Sequence, residues 1–212
     1  MSIRNVINWA KKCIAILSDN YASLYPPRNS FPWWMPQVAE PTKLNDKNMP
    51  NKMLRFNITE NVCGLTVNYG VMKIGCISNF VIYDKRGKQI PQNNEDIAWT
   101  CQRVNNALVD ILRHYNADCV VLQAKVLEKE NYYNIIPRIY GFRLYVDGVE
   151  QEITDMAYLL RRHNIETVPI LGINKTISKE TKENYSAQSK IANVNSKGII
   201  CINRQKSLSF LL

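Results

Sequence analysis

An α+β fold, with a mostly antiparallel sheet core and helices packed on it, is predicted by three features of this 212-residue sequence. Short runs rich in β-branched and aromatic residues recur from Leu54 onward, and turn residues close several of them. Two other segments carry apolar residues at helical spacing. No internal repeat appears at a period of about 20 to 50 residues, which sets aside solenoids and propellers. With 46% hydrophobic residues, the chain can bury a real core.

The elements follow in chain order. Residues 1–30 are weakly patterned and read as an N-terminal appendage, with 6–14 suited to a short helix or a remnant strand pair. Phe31-Pro32-Trp33-Trp34-Met35-Pro36 predicts a stiff, extended connector, because proline fixes its own φ and restricts its predecessor. Trp33, Trp34 and Met35 either cap the core or present a partner-binding patch. Strands are expected over 54–59, 65–69 and 71–83, with Asp84-Lys85-Arg86-Gly87 as a turn. A helix follows, with Asn93 or Asn94 as cap and Glu95 and Asp96 in its first turn. Its stripe of Ile97, Cys101, Val104, Leu108 and Ile111 makes Cys101 a core residue rather than a nucleophile. Buried strands are expected over 119–126 and 138–146, the second closed by Asp147-Gly148. Thr154 is the expected cap of a second helix that runs to Asn164, and 168–172 ends this block. The tail from Ser178 starts polar and lysine-rich, then turns strand-like over 198–202 and 208–212.

Bulk properties narrow the function. The net charge of +9 favours polyanionic partners such as RNA, DNA or an acidic protein face. Six scattered cysteines without a Cys-x-x-Cys pair, and only His114 and His163 to assist them, argue for free thiols and against zinc. No apolar run approaches a membrane span, and the first six residues lack the layout of a secretory signal, so an intracellular protein is expected. The abundance of asparagine, lysine and isoleucine points to an AT-rich genome, such as that of a phage or virus.

A family resemblance emerges from an ordered series of short motifs. Thr59-Glu60-Asn61-Val62-Cys63-Gly64 is similar in register to the Thr-Glu-Lys-x-Asp-Gly nucleophile motif of phage-type RNA ligases, a branch of the covalent nucleotidyltransferases. Residues 36–45 resemble the approach to that motif, and Cys76-Ile77-Ser78-Asn79 the following Cys-Ser-Arg-Asn element without its arginine. Gln123-Ala124-Lys125-Val126 resembles Gln-Gly-Glu-Leu, and Asn131-Tyr132-Tyr133-Asn134 its Asn-x-Tyr continuation. Tyr140-Gly141-Phe142-Arg143-Leu144 resembles the aromatic strand whose ring stacks on adenine. Val168-Pro169-Ile170-Leu171 fits a Val-Pro-Ile-Leu block, and 186–195 the stretch before the last carboxylate motif. That motif, Arg-Glu-Gly-x-Val in the family, reads Ser196-Lys197-Gly198-Ile199-Ile200, and Ser209-Phe210-Leu211-Leu212 stands where the family has Ser-Phe-Lys and further sequence. The resemblance implies a nucleotidyltransferase-like domain over 31–212, truncated at its C-terminal motif.

Carried onto this chain, the resemblance implies that the chemistry has been removed. The family lysine takes AMP from ATP, passes it to a 5′-phosphate and leaves a 3′-hydroxyl to close the bond. Here Asn61 replaces that lysine and Cys63 the aspartate, and an amide cannot attack phosphorus. Lys125 and Lys197 replace the two carboxylates for ribose and Mg²⁺, a swing of about four units of local charge that repels a hard cation. No metal and no cofactor is therefore expected. The expectation is a catalytically inactive pseudoenzyme whose emptied site, with Asn61, Lys125, Phe142 and Lys197, binds a nucleotide or phosphate. The alternatives are a protein-binding subunit or host inhibitor that uses Trp33, Trp34 and Met35, and an active ligase with a relocated nucleophile at Lys125, Lys197 or Cys63.

Overall fold

A computed structural model of the protein describes residues 41–74, 76–127, 139–178, 180, 181, 183, 191, 197–206 and 208–212. The expected appendage over 1–30, the connector with Trp33, Trp34 and Met35, and residues 131–134 lie outside them, as does all of 186–195 except Ile191. Among the described residues there are two mixed sheets and two helices, and strands dominate. The five-stranded sheet has the order β1 (Thr42–Lys43), β11 (Leu208–Leu211), β10 (Ile199–Asn203), β2 (Phe56–Glu60), β9 (Ile170–Lys175). The six-stranded sheet has the order β4 (Ile77–Asp84), β3 (Leu65–Ile74), β5 (Cys119–Val126), β6 (Ile139–Val146), β7 (Val149–Glu150), with β8 (Glu166–Thr167) on β6. Antiparallel pairing holds for β2 with β9 and β10, for β10 with β11, and for β3 with β4. Parallel pairs of β1 with β11 and of β6 with β8 make both sheets mixed, a refinement of the expected core.

The chain divides into two compact units. One holds Val67–Leu122 and Tyr145–Val149. Its β3 and β4 form one long hairpin ladder from Val67↔Asp84 to Ile74↔Ile77. The expected break at Gly70 is absent: that glycine pairs with Val81 inside the strand, and the reversal comes between Ile74 and Ile77. Helix α1 (Ala98–His114) turns Thr100, Cys101, Val104, Ala107, Leu108, Ile111 and Leu112 inward, as its periodicity predicts. It begins four residues after Asn94, with Ile97 at the cap and no acidic residue in its first turn. The cause is local. Asn94 Oδ1 accepts from the Asp96 N–H, a side-chain turn that holds Glu95 and Asp96 ahead of the helix. The Tyr69 hydroxyl lies 2.7 Å from Thr100 Oγ1, which donates in turn to the Ile97 carbonyl, so β3 carries α1 on a buried hydroxyl chain.

The other unit comprises the described parts of Val38–Thr66, Gln123–Leu144 and Glu150–Leu212. Pairing of β2 with β10 matches Ile199 to Glu60, Ile200 to Thr59, Cys201 to Ile58 and Ile202 to Asn57. Strand alternation then sorts these side chains onto two faces. Phe56, Ile58, Ile199 and Cys201 pack with Ile177 and Phe210 on one face. Ile200 and Ile202 pack on the other with Val62, Leu127, Val168 and the β6 residues Tyr140 and Phe142. Helix α2 (Ile153–Arg161) is shorter than expected, with Glu152 rather than Thr154 at its cap. No helix among the described residues is long and apolar enough to cross a membrane.

Candidate functional site

Strand β2 stops at Glu60, and residues 61–63 are irregular. Strand alternation therefore does not set how Cys63 faces relative to Asn61. The Asn61 N–H donates to the Gly198 carbonyl at 2.9 Å, and its side-chain Nδ2 donates to the Lys197 carbonyl at 3.1 Å. Position 61 is thereby tied to the segment that enters β10. Val62 is buried against Leu127, Phe142 and Ile200, and half-buried Cys63 packs against the same cluster.

Gly64 fixes the other side of the loop. Its φ is +122°, and a Cβ there would lie 2.4 Å from the Val126 carbonyl oxygen. Only glycine accepts both the conformation and the contact. Two residues on, Thr66 Oγ1 receives a 2.8 Å hydrogen bond from Lys125 Nζ. Gly198 has the same constraint on the β10 side: φ is +102° and a Cβ would meet the Leu212 carbonyl oxygen at 2.4 Å. The loop 61–64 thus runs from the β10 entrance, where Lys197 sits, to the start of β3, where Thr66 meets Lys125 of β5.

The predicted residues fall out as follows. Asn61 is joined to the Lys197 backbone carbonyl, and Lys125 reaches Thr66 in β3, just past the loop. The Lys197 side chain is exposed and Lys125 is half-buried. Phe142 is 5% exposed, with its ring among Val62, Leu127 and Ile200 and the Arg143 guanidinium 5.4 Å from its centroid. Arg143 is itself buried and ion-paired with Glu150 at 3.7 Å. No group of three or more His, Cys, Asp or Glu side chains is placed to hold a metal among the described residues.

Sequence reading overlooked two groups at this locus. Glu60, 3% exposed, puts a buried carboxyl-bearing side chain immediately before Asn61. Its signal was its place in a buried strand, where an acidic residue is rare without a partner. Thr66 carried no signal, because its part depends on a partner 59 residues away. Chemically, the described residues offer an amide just beyond β2, the Lys125 ammonium on Thr66, an exposed lysine at 197 and the buried Glu60 carboxyl. Amide and ammonium groups hold phosphate oxygens.

The fold is similar to that of solved RNA ligases from Naegleria gruberi. The ligase with pyrophosphate matches at a TM-score of 0.64 and 18% identity, over 85% of this chain and 56% of that one. A variant of that ligase with ATP and manganese matches at 0.61 and 18%, with the same coverage. A ligand-free variant matches at 0.61 and 17%, over 88% of this chain and 60% of the other. The protein has an RNA-ligase-like nucleotidyltransferase fold and spans little more than half the length of those ligases. No protein-family model matches the chain, and neither does a curated protein sequence.

Proposed function

We propose that this RNA-ligase-like protein is a pseudoenzyme of phage or viral origin that binds nucleic-acid phosphates at the Asn61 locus and forms no covalent nucleotide intermediate. One observation carries the reading. The side chain at the nucleophile position is a carboxamide held by the Lys197 carbonyl, and the Lys125 ammonium donates to Thr66 at the start of the strand that follows the loop. Where the ligase family needs a lysine flanked by carboxylates, this protein has an amide flanked by lysines. A phosphodiester carries its own negative charge and needs no metal to enter such a place. Mg²⁺ prefers anionic oxygen ligands, and lysines stand at 125 and 197 where the resembled family has carboxylates. The net charge of +9 supports the same partner, and the asparagine- and lysine-rich composition supports the proposed origin.

The test is the intact mass of the denatured protein after incubation with ATP and Mg²⁺, beside a competent RNA ligase labelled in parallel. The expected result is an unchanged mass for this protein and an AMP increment for the control. An AMP adduct on this protein overturns the pseudoenzyme reading, and mapping it to Lys125, Lys197 or Cys63 identifies a relocated nucleophile.

A further inference from the structure

A cavity of about 410 Å³ opens at the opposite end of β2 from Asn61. It is lined at the start of β2 by Arg55 and Asn57, at the end of β9 by Asn174, and beyond β10 by Arg204 and Gln205. Buried Ile202 and the cap residue of α2, Glu152, complete the lining that matters here. Asn57 and Asn61 are four residues apart along the chain, about 13 Å at strand rise, so this cavity is separate from the nucleophile position. Its volume lies within the range of about 300–1,000 Å³ usual for small-molecule sites.

The lining is polar and donor-rich. Arg204 forms an ion pair with Glu152 and is largely covered. Burial pulls its guanidinium below the usual range while Glu150 opposes the shift. Arg55 is exposed at the rim, and its guanidinium makes one long hydrogen bond, 3.4 Å to the Asn174 carbonyl. The Asn57 side-chain Oδ1 accepts from the Asn174 N–H at 3.3 Å, which aims the Asn57 Nδ2 away from that bond. Asn203 is spent on structure: it donates to the Arg55 carbonyl and accepts from the Lys206 N–H, fixing both arginine-bearing segments. Two guanidinium groups against one carboxylate leave a formal charge of +1, the complement of a single phosphodiester.

From this juxtaposition we propose a second ligand site, which takes one nucleotide unit, its phosphate on Arg55 and Arg204 and its base edge on the carboxamides of Asn57, Asn174 and Gln205. Guanidinium groups suit phosphate oxygens, and carboxamides pair with base edges through a donor and an acceptor together. The nucleotide is either free or part of a strand; the recognising chemistry is the same. This site does not depend on the one proposed at Asn61, since it shares no residue with it.

The full-length protein is titrated with fluorescently labelled AMP and, separately, with a labelled six-nucleotide RNA, with anisotropy as readout. Arg55→Glu and Gln205→Glu change exposed cavity residues, and Lys88→Glu is a matched charge reversal on an exposed residue outside the cavity. Arg55→Glu is expected to weaken binding at least tenfold, Gln205→Glu severalfold, and Lys88→Glu less than threefold. Loss of AMP binding in the cavity variants supports a free nucleotide as ligand, and loss of RNA binding alone supports a strand. Circular dichroism verifies that each variant folds. Absence of binding for both probes at millimolar protein, or affinities that Arg55→Glu leaves unchanged or lowers no further than Lys88→Glu does, overturns the proposal. Because Lys125 and Lys197 are untouched, either result leaves the reading of the Asn61 locus to its own test.

Discussion

Single residues at the candidate site are constrained by backbone contacts that a sequence only hints at. Gly64 matches the glycine that ends the nucleophile motif, and its +122° φ and the 2.4 Å approach of the Val126 oxygen explain why it is glycine. The same constraint makes Gly64→Ala costly. A positive φ costs about 1 kcal/mol for alanine, and the clash with an immobile carbonyl adds to it, for a total of about 2–4 kcal/mol. Urea unfolding monitored by tryptophan fluorescence measures it; a change below about 1 kcal/mol means that the loop shifts away from β5 freely. Gly148 provides the contrast, with φ +82° but nothing within 4 Å of an added Cβ. Alanine there meets only the conformational cost. Asn61 was legible as the odd residue in a familiar motif. Its hydrogen bond to the Lys197 carbonyl was not, because 136 residues separate the partners.

At the scale of elements, periodicity located most strands and both helices but misjudged their ends. Gly70 suggests a break in the sequence, yet it pairs with Val81 inside the β3–β4 ladder and the strand runs on through it. Asn94 suits a helix cap because its side chain competes well for N–H groups; it does so here, but for a turn that precedes the helix. Strand β10 was legible as apolar, and every one of its residues is buried. Burial there has a consequence for alkaline stability. The Cys201 thiol is pushed up from 9.0 to about 12, since the thiolate is poorly solvated among Phe56, Ile58 and Phe210. A group whose folded pKa is raised contributes stability that is complete below its unfolded pKa and is lost as pH climbs toward the folded value. Between pH 9 and 12 the slope from this thiol is about 1.4 kcal/mol per pH unit. Cys201→Val keeps the burial and removes the titration. Its unfolding free energy is therefore expected to fall less steeply than that of the parent protein above pH 9, with the two parallel below it. Parallel curves at all pH values would assign the alkaline loss to other groups, among them Tyr69 and Cys101, whose pKa values burial also raises.

For the whole molecule, the net charge favours polyanionic partners. The RNA-ligase-like architecture was legible because its motifs keep their order along the chain, although each is too short to identify the fold alone. The long-range pairings that assemble the site, Lys125 with Thr66 and Asn61 with Lys197, come from tertiary structure and leave no local pattern. They also define a measurable contribution to binding. If phosphates of a single strand lie against Lys125 and Lys197, each contact releases a counterion, and log K falls against log salt with a slope of about −0.7 per contact. The Lys125→Ala, Lys197→Ala double variant is thus expected to lose affinity and to flatten that slope by about 1.4 for a short RNA. General attraction to a chain of net charge +9 behaves differently. Removing any two surface lysines would then change the slope equally, and Lys47→Ala with Lys88→Ala provides that control. A slope that responds only to Lys125 and Lys197 places phosphates at the locus of these two lysines. A slope indifferent to them, with the parent protein still binding RNA, assigns the contacts to another face of the molecule.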